Sequence, residues 1–178
     1  MPEVSFQPTL RGPNITLLPL QPEHLASLQQ AASDPLIWQQ HPEPTRYQPE
    51  VFAGFFQSAL ASGSAFTIVD HHSQQVIGSS RYYDWDPSKH HIVIGYTFLT
   101  RPYWGGSTNA ELKKLMLDYA AQFAEMAWLC IGSNNMRSRR AAEKLGFTFS
   151  HEQLDVVDGI PRDRVHYYYQ LLQPASCV

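Results

Sequence analysis

Two stretches of the chain have the residue types and spacing to do chemistry. The first is Arg101-Pro-Tyr-Trp-Gly-Gly-Ser-Thr-Asn-Ala-Glu111, where adjacent glycines join an apolar run to an amphipathic one. Backbone amides at a helix start have no intrahelical partner, and the helix dipole adds partial positive charge there. Together they make a seat for phosphate oxygens, with glycine allowing close approach to the backbone. Thr108 and Glu111 also stand at capping-box spacing, so a capped turn without a ligand accounts for the same residues. Neither the nucleotide-triphosphate loop nor the dinucleotide fingerprint fits, because no G-K-[ST] and no G-x-G-x-x-G occurs.

The second stretch is Gly132-Ser-Asn-Asn-Met-Arg-Ser-Arg-Arg-Ala-Ala-Glu-Lys-Leu-Gly-Phe147. Asn135 suits the N-cap of the helix that follows, and Ser138 lies one turn on, near the same end. Arg137, Arg139, Arg140 and Lys144 are by default a solvated face. The eight histidines do not suggest a metal site. His71-His72 and His90-His91 are adjacent pairs, which on a strand point to opposite faces, and no Cys or carboxylate spacing supports them.

The elements that must position these windows follow from periodicity. Ile15 to Leu18 reads as a strand, and Glu23 to Ser33 as a helix stopped at Asp34-Pro35. Leu36 to Tyr47 reads as a loop or broken helix. A helix opens at Pro49 and runs through Phe52, Phe56 and Leu60 to Gly63. Ala65 to Asp70, Val76 to Tyr83 and His91 to Leu99 have strand character. Leu112, Leu115, Met116, Tyr119, Ala120 and Phe123 form one helical stripe. Trp128 to Ile131 is a short strand, and Arg137 to Leu145 a helix ended by Gly146. Phe147 to Asp155 and Arg164 to Tyr169 close the chain. This order predicts an α/β (α+β mixed) fold with a mixed sheet, read as one domain over residues 1–178.

Composition narrows the class. The 178 residues carry a net charge of -3, with 43% hydrophobic, 12% aromatic and only 16% charged residues. That supplies enough apolar surface for a full core. The acidic balance argues against a DNA binder that neutralises phosphates. No apolar run is long enough to span a membrane, and the first residues do not read as a signal peptide. Cys130 and Cys177 make no disulfide framework. The expectation is a soluble, cytoplasmic protein.

In this order, the two windows resemble those of the GNAT superfamily of acyl-CoA N-acetyltransferases, and more narrowly its ribosomal-protein N-terminal acetyltransferase-like branch. The resemblance rests on Ile94-Gly95-Tyr96, Tyr103-Trp104-Gly105, the helix Leu112 to Phe123, Asn135-Met-Arg-Ser138 and Glu143-Lys-Leu-Gly-Phe147. Thr16-Leu-Leu-Pro-Leu20 and Tyr167-Tyr-Tyr-Gln-Leu171 suit the first and last strands, so it covers nearly the whole chain. It implies a mostly antiparallel central sheet of about six to seven strands flanked by about four helices.

The resemblance further implies acetyl-CoA as cosubstrate, with no metal. Its pyrophosphate would sit on the amides of Gly105, Gly106, Ser107, Thr108 and Asn109, beside Trp104 and Arg139. Ser107 replaces the second loop glycine, leaving Gly106 to take the strained conformation. The pantetheine arm would run along Phe98, Leu99 and Thr100, with Asn135 binding it and Ser138 near the thioester sulfur. The family reaction is direct attack by an amine, with a backbone N–H near Phe98 or Leu99 facing the oxyanion. Val93 stands where many relatives carry a glutamate. Asp84, Asp86, His90 and His91 are the nearby bases, of which Asp84 is the choice. Tyr96 would orient substrate and Ser138 would be the acid, with Tyr167 to Tyr169 the alternative.

Acceptor contacts are expected from Leu36 to Phe56 and Asp155 to Arg164. Trp38, Tyr47 and Phe52 would line or support the acceptor, with His41, Arg46 and Phe55 beside them. An aromatic, nearly neutral mouth fits a small-molecule amine or a protein N-terminus. An antibiotic or polyamine acceptor is the rival within the fold. A non-catalytic acyl-CoA sensor is the rival outside enzymes, kept open by Val93. The family leaves room for a homodimer. Seven of the thirteen Lys and Arg residues, Arg101, Lys113, Lys114, Arg137, Arg139, Arg140 and Lys144, are expected to form a basic patch around the cofactor.

Overall fold

A computed structural model describes residues 3–172 of the chain; Cys177, weighed above as a disulfide partner, lies outside them. Eight strands form one sheet in the order β1-β2-β3-β4-β5-β6-β8-β7. They are β1 (Leu10–Arg11), β2 (Ile15–Pro19), β3 (Ala65–Asp70), β4 (Val76–Asp86), β5 (His91–Leu99), β6 (Met126–Gly132), β7 (Thr148–Val157) and β8 (Ile160–Gln170). Every neighbouring pair is antiparallel except β5 with β6. The helices are α1 (Leu25–Ala31), α2 (Pro35–Trp38), α3 (Pro49–Ser62), α4 (Thr108–Ala120) and α5 (Met136–Lys144).

The mixed, mostly antiparallel α/β architecture matches the expected class, and the differences are local. The strand count rises to eight because Leu10–Arg11 pairs with Thr16 and Leu17 as a two-residue edge. The predicted helix from Glu23 divides into a 3-10 turn over Pro22–His24 and α1. Pro35 does more than stop that helix. It occupies the first turn of α2, where Asp34 accepts the Leu36 amide at 3.0 Å. The stripe on α4 reaches Phe123, yet the helix ends at Ala120. Residues 121–124 fold back in a tight turn in which Phe123 N and Ala124 N both donate to Ala120 O.

The apolar faces bury on both sides of the sheet. Ile15, Leu17, Phe66, Ile68, Tyr82, Ile92 and Ile94 pack with Leu112, Met116 and Ala120 of α4 and Ala142 of α5. Leu28, Trp38, Phe52, Phe56 and Ala59 from α1, α2 and α3 pack with Leu20, Ala65 and Phe98 on the other. Phe98 therefore belongs to one core and its neighbour Leu99 to the other, as strand alternation requires.

Two features of β5 open the site. Its pairing with β6 covers only His91 to Val93 against Met126 to Trp128, after which the strands separate. Tyr96 also sits at φ 51°, in the left-handed region, and the register with β4 skips a residue between Ser79/Phe98 and Arg81/Gly95. This is a β-bulge, which bends the strand and frees backbone from the ladder.

Candidate active site

The gap between β5 and β6 widens into a cavity of about 440 Å³. Its walls come from β5 (Ile94 to Leu99), β6 (Leu129 to Gly132), the start of α4, α5 around Asn135 and Ser138, and the β7–β8 turn. Trp38, Tyr96, Phe98, Leu99, Trp104, Gly105, Asn109, Asn135 and Ser138, all expected at the site, lie in this wall.

At one end is the α4 N-terminus. The backbone amides of Gly105 through Ala110 donate to no acceptor among the described residues, whereas Glu111 N bonds Ser107 O at 2.9 Å. That row of free amides stands on the helix start where the sequence placed a seat for phosphate oxygens. The left-handed residue is Gly105, at φ 70°, and not Gly106. A side chain at Gly105 would meet no neighbour, so backbone conformation alone requires the glycine.

The Thr108–Glu111 capping box does not form. Ser107 is the N-cap without a side-chain bond. The Glu111 carboxylate instead accepts from Asn14 N at 2.8 Å, Asn14 Nδ2 at 2.9 Å and Ile15 N at 3.1 Å, tying α4 to the start of β2. Trp104 props the loop, its Nε1 donating to Leu99 O at 2.9 Å while the Arg137 guanidinium lies 3.9 Å from its ring centre.

Across the gap, Asn135 caps α5 by accepting the Ser138 amide on Oδ1 at 3.2 Å, and it is only 6% exposed. Capping uses the carbonyl and leaves the Nδ2 donors for the cavity. Ser138 Oγ has no hydrogen-bond partner among the described residues and lies in the wall.

Other expected residues fall elsewhere. Thr100, Gly106, Ser107 and Thr108 continue the loop outside the wall, with Thr100 N donating to Ile77 O. Arg139 donates to Ser133 O at 2.9 Å and approaches Tyr167 Oη. Phe52 is core, stacked edge-on to Phe98, and Tyr47 packs behind it. Asp84 lines a second cavity of about 310 Å³ with Val93, Asp155 and His166. Asp86 holds the Ser88 turn, His90 contacts Glu125, and His91 accepts from Trp128. Tyr167 is fully buried and donates to Glu143 at 2.9 Å, away from the wall.

The basic patch is thinner than expected. Arg101 pairs with Asp34 and Lys114 with Asp118, and Lys113 is buried. The other end of the cavity is in turn more cationic than its aromatic sequence suggested. Arg46, Arg162 and Arg164 line it, since the β7–β8 turn brings the last two across the cavity from residue 46.

Sequence reasoning placed Lys113 in a basic patch around the cofactor but missed that it is a buried wall residue. It is 6% exposed, and Nζ donates to Thr97 Oγ1 at 2.8 Å. Burial pulls its pKa down to about 7. The signal was slight, because Lys113 stands beside Leu112 at the margin of the apolar stripe, one turn after Asn109. Tyr83 was missed too. Its ring occupies the space beside Gly95, where a Cβ would lie 2.8 Å from Tyr83 Cε1. Burial also raises its phenol pKa.

The sequence profile described as Acetyltransferase (GNAT) domain matches residues 14–148. No curated protein matches the chain by sequence. Among solved structures, a GCN5-related N-acetyltransferase from Brucella melitensis superposes with TM-score 0.82 at 23% identity, covering 95% of this chain and 80% of its own. The microcin C7 self-immunity acetyltransferase MccE, in complex with acetyl-CoA and AMP, gives 0.75 at 14% identity, covering 94% and 99%. RimL, a ribosomal L7/L12 alpha-N-protein acetyltransferase in complex with coenzyme A, gives 0.73 at 15%, covering 92% and 98%.

Proposed function

The chain belongs to the GNAT acetyltransferase family, and on that premise we propose that it is a cytoplasmic, single-domain N-acetyltransferase using acetyl-CoA and a primary amine. The observation that carries this reading is the parting of β5 from β6 above a row of free amides at the α4 N-terminus. The residues present fit the cosubstrate: an anion seat, an open strand edge and a buried amide donor line one continuous cavity. Bound acetyl-CoA supplies an activated acetyl thioester.

In this reading the amides of Gly105 to Asn109 hold the pyrophosphate, and Trp104 fixes the loop. The free edge of Phe98 and Leu99, together with Asn135, orients the pantetheine arm. The Tyr96 bulge leaves backbone donors available to a developing oxyanion. Ser138 Oγ would relay to the leaving sulfur the proton that the newly bonded nitrogen gives up, so its hydroxyl is restored as the thiol leaves, and Tyr96 would orient the amine.

An accepting amine must lose a proton, and α-amino groups are half protonated only near pH 8. Lys113 is the wall group whose protonation changes near neutrality, and its uncharged form receives that proton, directly or through water. Asp84 lines the adjoining cavity, which shares Cys130 and Arg164 with this one, and in this reading Lys113 takes its place as the base. The acceptor is a small amine or a protein N-terminus. The motif Ile94-Gly95-Tyr96 and the likeness to RimL support an affinity with ribosomal-protein N-terminal acetyltransferases.

Calorimetric titration with acetyl-CoA tests the reading. Binding in a one-to-one ratio, competed by coenzyme A, is expected. Absence of heat at millimolar acetyl-CoA contradicts it.

A further inference from the structure

Arg46, in the wall at the far end of the cavity, and Arg81, packed behind that wall, are short of partners. Arg46 Nε, Arg81 Nε and Arg81 Nη2 are buried without a hydrogen-bond acceptor, and Arg81 is 5% exposed. A buried donor left unpaired loses the hydrogen bond it made to water and gains none in return. Aromatic faces hold the cations: Arg46 lies 4.5 Å from the Phe55 ring centre and 5.4 Å from that of Trp38. Arg81 lies 3.9 Å from Tyr96 and 5.7 Å from Phe55. Such contacts attract the charge without engaging the in-plane N–H donors, and Arg81 finds only a neutral partner, Nη1 donating to Ser58 Oγ at 3.4 Å.

The apparent partner of Arg46 is not an acceptor. Its Nη1 lies 3.4 Å from His41 Nε2, but His41 Nδ1 already accepts the Glu43 amide at 2.9 Å. A neutral imidazole accepting at Nδ1 carries its proton on Nε2, so two donors face each other. Protonation of the ring does not help, because burial and then the charges of Arg46 and Arg162 pull the His41 pKa down to about 3.

Nearby carboxylates make no direct ion pair with Arg46 or Arg162, although the Glu43 charge acts on both at longer range. Arg164 is paired with Asp155 at 3.5 Å. Glu43 and Asp158 line the same end, but neither lies within 4.0 Å of a guanidinium nitrogen among the described residues. Glu43 instead accepts from Thr45 Oγ1. Arg162 donates one Nη1 bond to Pro42 O at 2.8 Å and otherwise faces the cavity. Burial lowers the Arg46 pKa to about 10; the Glu43 charge opposes that shift, and the charges of Arg81 and Arg162 add to it.

We propose that this end of the cavity holds an anionic oxygen group, a carboxylate or a phosphate, carried by the same molecule as the accepting amine. Arg46 and Arg162 are its direct ligands, and Arg81 adds charge from behind Tyr96. The inference rests on the acetyltransferase reading and narrows its acceptor to anionic amines, against the neutral or polycationic ones that the sequence left open.

The test uses matched acceptors with the full chain and saturating acetyl-CoA. Phenylalanine is set against phenylalanine amide for the carboxylate, and phosphoethanolamine against ethanolamine for the phosphate. The expected result is a preference of at least about tenfold in kcat/KM for the anionic member of one pair. Arg46→Gln should abolish that preference and Arg46→Lys should retain part of it, with acetyl-CoA affinity unchanged in both. Equal rates within both pairs, or a preference that survives Arg46→Gln, overturns the proposal.

If no amine is turned over although acetyl-CoA binds, the catalytic reading fails separately. The subsite is then judged by titrating the same pairs into the acetyl-CoA-loaded protein. Tighter binding of an anionic member, lost in Arg46→Gln, supports it. Equal binding overturns it.

Discussion

Lys113 Nζ donates to Thr97 Oγ1 at 2.8 Å, and that hydroxyl lies 2.8 Å from Ser80 Oγ, so a helix ammonium is anchored to the bulged stretch of β5 by two hydroxyls and no carboxylate. The folded chain gives up the Lys113 proton near pH 7, against about 10.4 for the unfolded chain. Between those values unfolding takes up a proton, so stability rises with pH across that window. Lys113→Met should therefore stabilise the protein at pH 6, by up to about 5 kcal/mol, with the gain vanishing near pH 10. Urea unfolding at the two pH values measures it. The same variant should lose the activity limb near pH 7.

Gly105→Val places a β-branched residue at φ 70°. The left-handed conformation costs an L-residue roughly 1–2 kcal/mol, so the loop will shift and its amides will move off the anion. Acetyl-CoA affinity should fall about tenfold or more, as read by calorimetry. An unchanged dissociation constant argues against the pyrophosphate seat.

Ser138→Ala removes a hydroxyl that no neighbour uses, while the Asn135 cap bonds the backbone amide and survives. Turnover should drop about 10²-fold, the scale of a lost general acid, with acetyl-CoA binding intact. Steady-state kinetics beside calorimetry separates the two. Undiminished turnover removes Ser138 from the mechanism.

Glu111→Ala deletes three hydrogen bonds to Asn14 and Ile15. The cost should be about 1–3 kcal/mol of stability, seen in the urea midpoint, with little effect on acetyl-CoA affinity. A capping role would instead weaken the α4 N-terminus and the anion seat with it.

The local elements were legible because their signals are local. Pro49 and Gly63 bracket α3 as expected, and His91 to Leu99 is a strand over its full predicted length. The row of free amides at the α4 start was legible for the same reason, since paired glycines before a helical stripe lie in one window. Glu111 misled because capping-box spacing says nothing about a strand about a hundred residues away in sequence, whose amides compete for the same carboxylate. Arg46 and the Asp155 to Arg164 connection were expected beside the acceptor, but the cationic character of that end was not, because Arg162 joins Arg46 only when β8 brings it onto Pro42 O. The Tyr96 bulge was hidden as well, since nothing in Ile94-Gly95-Tyr96 fixes a positive φ before β4 sets the register.

The central claim is amine-dependent acetyl transfer, and release of coenzyme A thiol measures it most directly. With wild-type protein, acetyl-CoA and the matched amines, thiol should appear only when an acceptor is present. It should equal the acetylated amine found by mass spectrometry, mole for mole. Thiol release independent of any amine, or none at all from protein that binds acetyl-CoA, contradicts the account and leaves an acyl-CoA sensor in its place.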